Sequence, residues 1–173
     1  MSLVTVPNAL EIELSFAKSS DSDTTPQIYE VFDLSNGKLL ESKNENKTHS
    51  IASLTKLMTT YTFIRNYKGN LNSCVGVITD DDNDELKHTT TRIEKNKTIS
   101  CYGLLQLMML VSDNYAASAL ADSIPGKSRD DFYDLMNQEA QNLGMKNTFY
   151  KDSSGLEFEN KSTATASAQE VLV

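Results

Sequence analysis

The sequence predicts an α+β fold, helices packed on an antiparallel sheet, and three observations carry that expectation. A β-rich segment near residue 27 doubles back through Ser35-Asn36-Gly37, the apolar period lengthens to that of a helix from residue 51, and it stays helical through Leu143. At 173 residues with 39% apolar composition, the chain can bury one sizeable core and not two.

Taken in order, residues 1–25 end in Ser19-Ser20-Asp21-Ser22-Asp23-Thr24-Thr25 and read as a flexible leader, with residues 26–173 as one domain. Met1 to Leu10 lacks the basic start and apolar middle of an export signal. Gln27 to Leu34 and Lys38 to Ser42, joined by the Ser35-Asn36-Gly37 turn, read as a β-hairpin. From Ile51, the residues Leu54, Leu57, Met58, Tyr61 and Ile64 recur at helical spacing, and Ser50 or Ser53 is placed to start that helix. Leu71 to Ile78 is a short apolar stretch. Thr98 or Ser100 can cap a second helix with the stripe Leu104, Leu107, Met108 and Val111, which ends at Ser112-Asp113-Asn114. A third helix of small residues runs through Tyr115 to Asp122 and breaks at Pro125-Gly126. Ser128, with Asp131 three residues on, opens a fourth whose Phe132, Leu135, Met136, Ala140 and Leu143 face inward before Gly144. A two-stranded hairpin with a helical body is incomplete as a fold, because such a hairpin is marginal without more strands or a covering helix.

Composition excludes several functions. The formal charge of -8 leaves no surplus of Lys and Arg to neutralise phosphates, so neither nucleic acid nor an anionic membrane surface is an expected partner. No apolar run reaches the length needed to span a bilayer. Metal sites are disfavoured too. The acidic run Asp80-Asp81-Asp82-Asn83-Asp84-Glu85 fails as a calcium loop, with Glu85 where Gly is required and Thr91 where the bidentate Glu belongs. Cys74 and Cys101 lack zinc or redox spacing; they read as two buried thiols ahead of one bridge.

A serine hydroxyl becomes a nucleophile when a base takes its proton, and a lysine serves as that base only where its pKa is lowered. Ser53-Leu54-Thr55-Lys56 provides such a pair, three residues apart on one helical face. Spacing alone does not single it out, since Ser15-Phe16-Ala17-Lys18 and Ser35-Asn36-Gly37-Lys38 share it. Ser53 alone opens an amphipathic helix. Its bland reading is a helix cap, with Lys56 a solvated helix residue. Ser112-Asp113-Asn114 adds a second hydroxyl and a carboxamide suited to relaying a proton and holding a peptide carbonyl. Those residue types are also ordinary in a break between helices, and Ser42-Lys43-Asn44 fits the same Ser-x-Asn pattern.

Ile51-Ala52-Ser53-Leu54-Thr55-Lys56-Leu57-Met58-Thr59 closely resembles the nucleophile segment of the low-molecular-mass penicillin-binding proteins, the D-alanyl-D-alanine carboxypeptidases and endopeptidases. Leu110-Val111-Ser112-Asp113-Asn114-Tyr115-Ala116-Ala117 is similar to their second motif. Leu143-Gly144-Met145-Lys146-Asn147-Thr148, Ser154-Gly155-Leu156 and Ser162-Thr163-Ala164 resemble further signatures. The Glu85-Leu86-Lys87 to Arg92-Ile93 region looks more like the penicillin-binding protein 7 endopeptidases than the larger carboxypeptidases.

The resemblance implies a serine β-lactamase/DD-peptidase-like fold acting on peptidoglycan peptides outside the cytoplasmic membrane and acylated by β-lactams. It implies Ser53 as nucleophile, Lys56 as its base, Ser112 as proton relay and Asn114 as a substrate-binding residue, with no metal or organic cofactor. Two departures stand out. Ala166 replaces an Asp usual after Ser-Thr-Ala, and the third motif, Lys-Thr-Gly or Lys-Ser-Gly, is absent: Lys47-Thr48 precedes His49, Lys97-Thr98 precedes Ile99, and Lys161-Ser162 precedes Thr163. The chain stops before that motif's expected place, so the C-terminal sheet strands are expected to be missing and this polypeptide alone to have little or no peptidase activity. An unpaired hairpin edge would call for a complementing chain, a strand-swapped oligomer or a crystal partner. The rival readings are a serine β-lactamase of the same fold, weakened because Lys161 and Thr163 stand where a Glu-x-x-x-Asn loop from Glu157 or Glu159 needs Asn, and a non-catalytic module that binds cell wall or a partner.

Overall fold

The computed structural model describes residues 26–33, 35–78, 91, 93–164 and 166. The proposed leader and the acidic run therefore lie outside the described residues. The chain divides into two compact units, one up to Glu45 and one from Asn46.

In the first unit, β1 (Tyr29–Asp33) pairs antiparallel with β2 (Lys38–Lys43), from Tyr29 opposite Lys43 to Asp33 opposite Lys38, with a register shift between Val31 and Phe32. The expected turn forms because the Asp33 carboxylate accepts from the Ser35 amide at 2.9 Å, the Ser35 hydroxyl at 2.6 Å and the Asn36 carboxamide at 2.7 Å. These donors hold the Asp33 carboxyl below its ordinary pKa.

In the second unit, β3 (His49–Ser50) leads through a 3-10 turn at Ala52–Leu54 into α1 (Thr55–Asn66). β4 (Val75–Val77) pairs antiparallel with β5 (Thr98–Ser100), a strand the sequence reading did not anticipate. Then follow α2 (Cys101–Val111), α3 (Asn114–Ala121) and α4 (Arg129–Asn142), and β6 (Lys161–Ser162) returns to pair with β3. Two of the expected caps form. The Ser100 hydroxyl accepts from the Gly103 amide at the start of α2, and Ser128 and Asp131 make a reciprocal capping box on α4.

The core gathers around α3, in which every residue from Tyr115 to Ala121 is buried. Its run of alanines lets neighbours approach the backbone: a Cβ at Gly76 of β4 would lie 2.8 Å from the Ala119 carbonyl oxygen. Met58 and Phe63 of α1, Leu104 and Met108 of α2, and Phe132 and Met136 of α4 pack into the same cluster.

Three expectations are corrected here. The cysteines are not thiols: Cys74 and Cys101 form a disulfide with Cα atoms 5.3 Å apart, because the β4–β5 pairing brings the residue before β4 beside the residue after β5. The inward face of α1 is also not the apolar stripe. Leu54 and Ile64 are 50% and 54% exposed, whereas Thr55, Thr59 and Thr62 are fully buried with Met58 and Phe63. That face meets a polar neighbour, since the Thr59 hydroxyl donates to the Ser153 carbonyl at 2.7 Å and lies 3.9 Å from the Met136 sulfur on α4. Val111, expected on the inward stripe of α2, is 52% exposed as well.

Candidate active site

Three pieces of the second unit converge at the start of α1. Ser53 sits in the 3-10 turn and is exposed, while Lys56, one turn on, is 3% exposed. Ala52 has φ +46°, a left-handed value that an L-residue holds only where its surroundings fix it. The fixing partner is Gly155, whose own φ is +87° and where a Cβ would fall 1.9 Å from the Ala52 carbonyl oxygen. Only glycine fits there.

The second piece is the break between α2 and α3. Ser112 ends α2 in the left-handed conformation (φ +57°) and is exposed, and Asp113 caps α3 by accepting from the Ala116 amide at 3.0 Å. Thr91 adds a hydroxyl bond to the other Asp113 oxygen at 2.7 Å. With its backbone so fixed, the break turns Ser112 and Asn114 toward α1.

The third piece is the loop from Lys151 to Asn160. Its two ends are held together by the antiparallel bridge between Phe149 and Lys161, with both backbone bonds at 2.9 Å. Asn137 of α4 grips the Tyr150 backbone at both its N–H (2.9 Å) and C=O (2.8 Å). Asn160, fully buried, accepts from the Lys151 amide at 2.9 Å, and its carbonyl accepts from the Ile51 amide at 3.2 Å, which joins the loop to the segment carrying Ser53.

The Lys56 Nζ is the hub. It donates to the Ser53 Oγ at 3.2 Å, the Asn114 Oδ1 at 2.7 Å and the Ser154 carbonyl at 2.6 Å, and the Ser112 Oγ donates to the Ser53 Oγ at 3.0 Å. All four residues singled out from the sequence thus meet. Burial disfavours the ammonium and lowers the Lys56 pKa from 10.5 to about 8, against the opposing pull of the Asp152 and Asp113 carboxylates. At pH 7.5 about a quarter of such an amine is neutral, against about a thousandth for a solvated lysine. Two exposed hydroxyls above a buried, partly neutral amine can pass a proton between them.

Sequence reasoning missed Asp152 and Asn160, and it marked Gly155 only as part of a family-like Ser154-Gly155-Leu156 segment without a role. The residue types around them, Asp, Ser, Gly and Asn, otherwise read as an ordinary loop. No group of His, Cys, Asp and Glu arranged to hold a metal occurs among the described residues.

Comparison with known proteins points to a family. A sequence profile described as D-alanyl-D-alanine carboxypeptidase matches residues 15–171. The chain is 44% identical over 137 residues to the D-alanyl-D-alanine endopeptidase of Haemophilus influenzae, an alignment covering 79% of this chain and 46% of that protein. It is 33% identical over 134 residues to the Escherichia coli D-alanyl-D-alanine endopeptidase, covering 78% of this chain and 42% of that one. The chain therefore spans less than half the length of these relatives. Among solved structures, the D-alanyl-D-alanine carboxypeptidase of Mycobacterium tuberculosis matches with a TM-score of 0.72 at 26% identity, covering 87% of this chain and 56% of that one. A variant of the Streptomyces K15 DD-transpeptidase matches with a TM-score of 0.73 at 26% identity, covering 86% and 62%. With the family profile spanning nearly the whole sequence, and the Ser53–Lys56 pair meeting Ser112 and Asn114 in one hydrogen-bonded cluster, the chain belongs to the D-alanyl-D-alanine carboxypeptidase family.

Proposed function

We propose that this chain supplies the nucleophile and its activating groups to a serine peptidase that cuts D-alanine-containing peptides of bacterial cell wall. The observation that carries the reading is the buried Lys56 amine, 3.2 Å from the exposed Ser53 hydroxyl. Neutral Lys56 accepts the Ser53 proton as Oγ attacks the carbonyl carbon of the D-alanyl bond. The tetrahedral adduct collapses, and the departing amine receives a proton from Lys56 through the Ser112 hydroxyl. Water then attacks the ester, giving its oxygen to the acyl group, which leaves as the free carboxylic acid, and a proton to the Ser53 oxygen, which restores the hydroxyl. Asn114 fixes Lys56 through its carboxamide oxygen and offers its nitrogen to the substrate backbone. No metal or organic cofactor enters these steps.

Endopeptidase action on cross-linked peptides is favoured over carboxypeptidase action, because 44% and 33% identity to proteins named endopeptidases exceeds the 29% to the Bacillus subtilis carboxypeptidase DacF. A disulfide between Cys74 and Cys101 suits an oxidising site outside the cytoplasmic membrane. The 173 residues hold no Lys-Thr-Gly or Lys-Ser-Gly, so the chain by itself is expected to turn over slowly, with the remaining groove supplied by further sequence, a complementing chain or a strand-swapped copy. One missing oxyanion donor costs about 2.7–4 kcal/mol of transition-state stabilisation.

The test is digestion of purified muropeptides by protein expressed from the complete natural reading frame. Cleavage of cross-linked dimers ahead of release of terminal D-alanine is expected. Rapid, repeated hydrolysis of nitrocefin would favour a β-lactamase instead. Peptidoglycan binding with no acylation of Ser53 would favour a non-catalytic module.

A further inference from the structure

We propose that Asp152 is a positioning residue for Lys56, folding residues 152–157 into a loop whose Ser154 carbonyl holds the Lys56 amine against Ser53. Four successive backbone amides converge on this one carboxylate. Oδ1 accepts from the Ser154 amide (3.0 Å), the Gly155 amide (2.6 Å) and the Asn160 carboxamide (3.0 Å). Oδ2 accepts from the Leu156 amide (3.1 Å), the Glu157 amide (2.9 Å) and the Ser154 hydroxyl (3.3 Å).

The link to Lys56 runs through a single peptide group. In a trans peptide the N–H and C=O point in opposite directions. The Ser154–Gly155 peptide donates its N–H to Asp152 at 2.6 Å and presents its C=O to the Lys56 Nζ at 2.6 Å. A carboxylate on one side and an amine on the other polarise that peptide in the same sense, so each bond strengthens the other. Gly155 lets this peptide lie flat against Ala52, the residue before the nucleophile. Turning the peptide by any other route would remove the acceptor that keeps Lys56 directed at Ser53.

The charged groups around the pair are few among the described residues. Asp152 and Asp113 are the carboxylates that act on Lys56. Asp130 of α4, Lys151 and Glu157 line, with Asp152, a cavity of about 140 Å³ beside the loop. Two substitutions at Asp152 then move Lys56 in opposite directions. Asp152→Asn keeps an acceptor at Oδ1 and the Ser154–Gly155 peptide in place but removes the charge, which favours the neutral amine. Asp152→Ala releases the whole loop, so the amine gains water and its pKa returns toward that of an ordinary lysine.

The relevance to catalysis rests on the peptidase reading, but the test does not. Lysine ¹³Cε resonances of the 173-residue chain are titrated by NMR, with Lys56 assigned by its loss in Lys56→Met, and amide exchange is followed at residues 154–157. The expected result is a Lys56 midpoint lower by about half a pH unit in Asp152→Asn and higher by at least about one pH unit in Asp152→Ala. Exchange should quicken at 156 and 157 in the first variant and at all four amides in the second. A midpoint unchanged in both variants, or shifted the same way in both, overturns the proposal. If Asp152→Ala loses protection throughout α1 and α4, the Asp152→Asn shift decides alone. Opposite shifts with no penicillin labelling of Ser53 in protein from the complete natural reading frame would keep the positioning role and remove the peptidase reading, and labelling of that protein with unmoved midpoints would do the reverse.

Discussion

Lys56→Met should change how stability depends on pH. Lys56 titrates from about 8 in the folded chain, whereas a lysine in the unfolded chain titrates near 10.5. Between those values the unfolded state binds more protons than the folded one, so the lysine's contribution to folding becomes more favourable as pH rises. Below pH 8 the cost of burying the ammonium is present in full; above pH 10.5 it has gone. The interval of about 2.5 pH units corresponds to about 3 kcal/mol, of which methionine would pay none because it has no proton to lose. Met also leaves the Ser154 carbonyl and the Asn114 oxygen without their donor, a penalty of about 1–3 kcal/mol that is independent of pH in this range. The difference between wild type and variant, and not either alone, is therefore the quantity to read. Urea unfolding followed by far-ultraviolet circular dichroism at pH 7.5, 9 and 10.5 supplies it, and the variant cancels tyrosine ionisation common to both proteins. Wild type should gain about 3 kcal/mol on the variant across the series. A constant difference at all three pH values would refute a depressed Lys56 pKa, and with it the supply of neutral base.

Other perturbations test the frame around the site. Gly155→Ala should lose several kcal/mol or force residues 52–54 to move, since the new methyl would meet the Ala52 carbonyl at 1.9 Å in a left-handed backbone; thermal unfolding and the Lys56 titration read the two outcomes. Replacing both Cys74 and Cys101 by Ala should cost about 3–4 kcal/mol by the chain-entropy estimate for their separation of 27 residues, measured by urea unfolding of each form. Ser128→Ala should remove about 1 kcal/mol through loss of the capping box on α4, leaving the Lys56 midpoint unmoved.

What could be read from the sequence was whatever depends on short spacing. The α4 start was legible because Ser128 and Asp131 cap through atoms three residues apart; the Ser53–Lys56 pair shares its spacing with two other pairs and was legible because an amphipathic helix and a family-like segment surround it. The buried face of α1 was not. Its apolar spacing pointed to Leu54 and Ile64, but tertiary contacts with Ser153 and Met136 chose the threonine side, where the Thr59 hydroxyl finds a carbonyl. The disulfide needed the β4–β5 pairing, which places residues 74 and 101 together and leaves no trace in their spacing. Asp152 was the least visible of all, because it works through the backbone amides of four residues whose side chains say nothing about it.

The most direct check of the central claim is intact-mass and peptide mass spectrometry after exposure to a penicillin at pH 8.5, on protein from the complete natural reading frame. One adduct per chain, carried on the peptide containing Ser53 and abolished by Ser53→Ala and by Lys56→Met, is the predicted result. An adduct on any other residue, or one that survives in Ser53→Ala, would contradict the assignment.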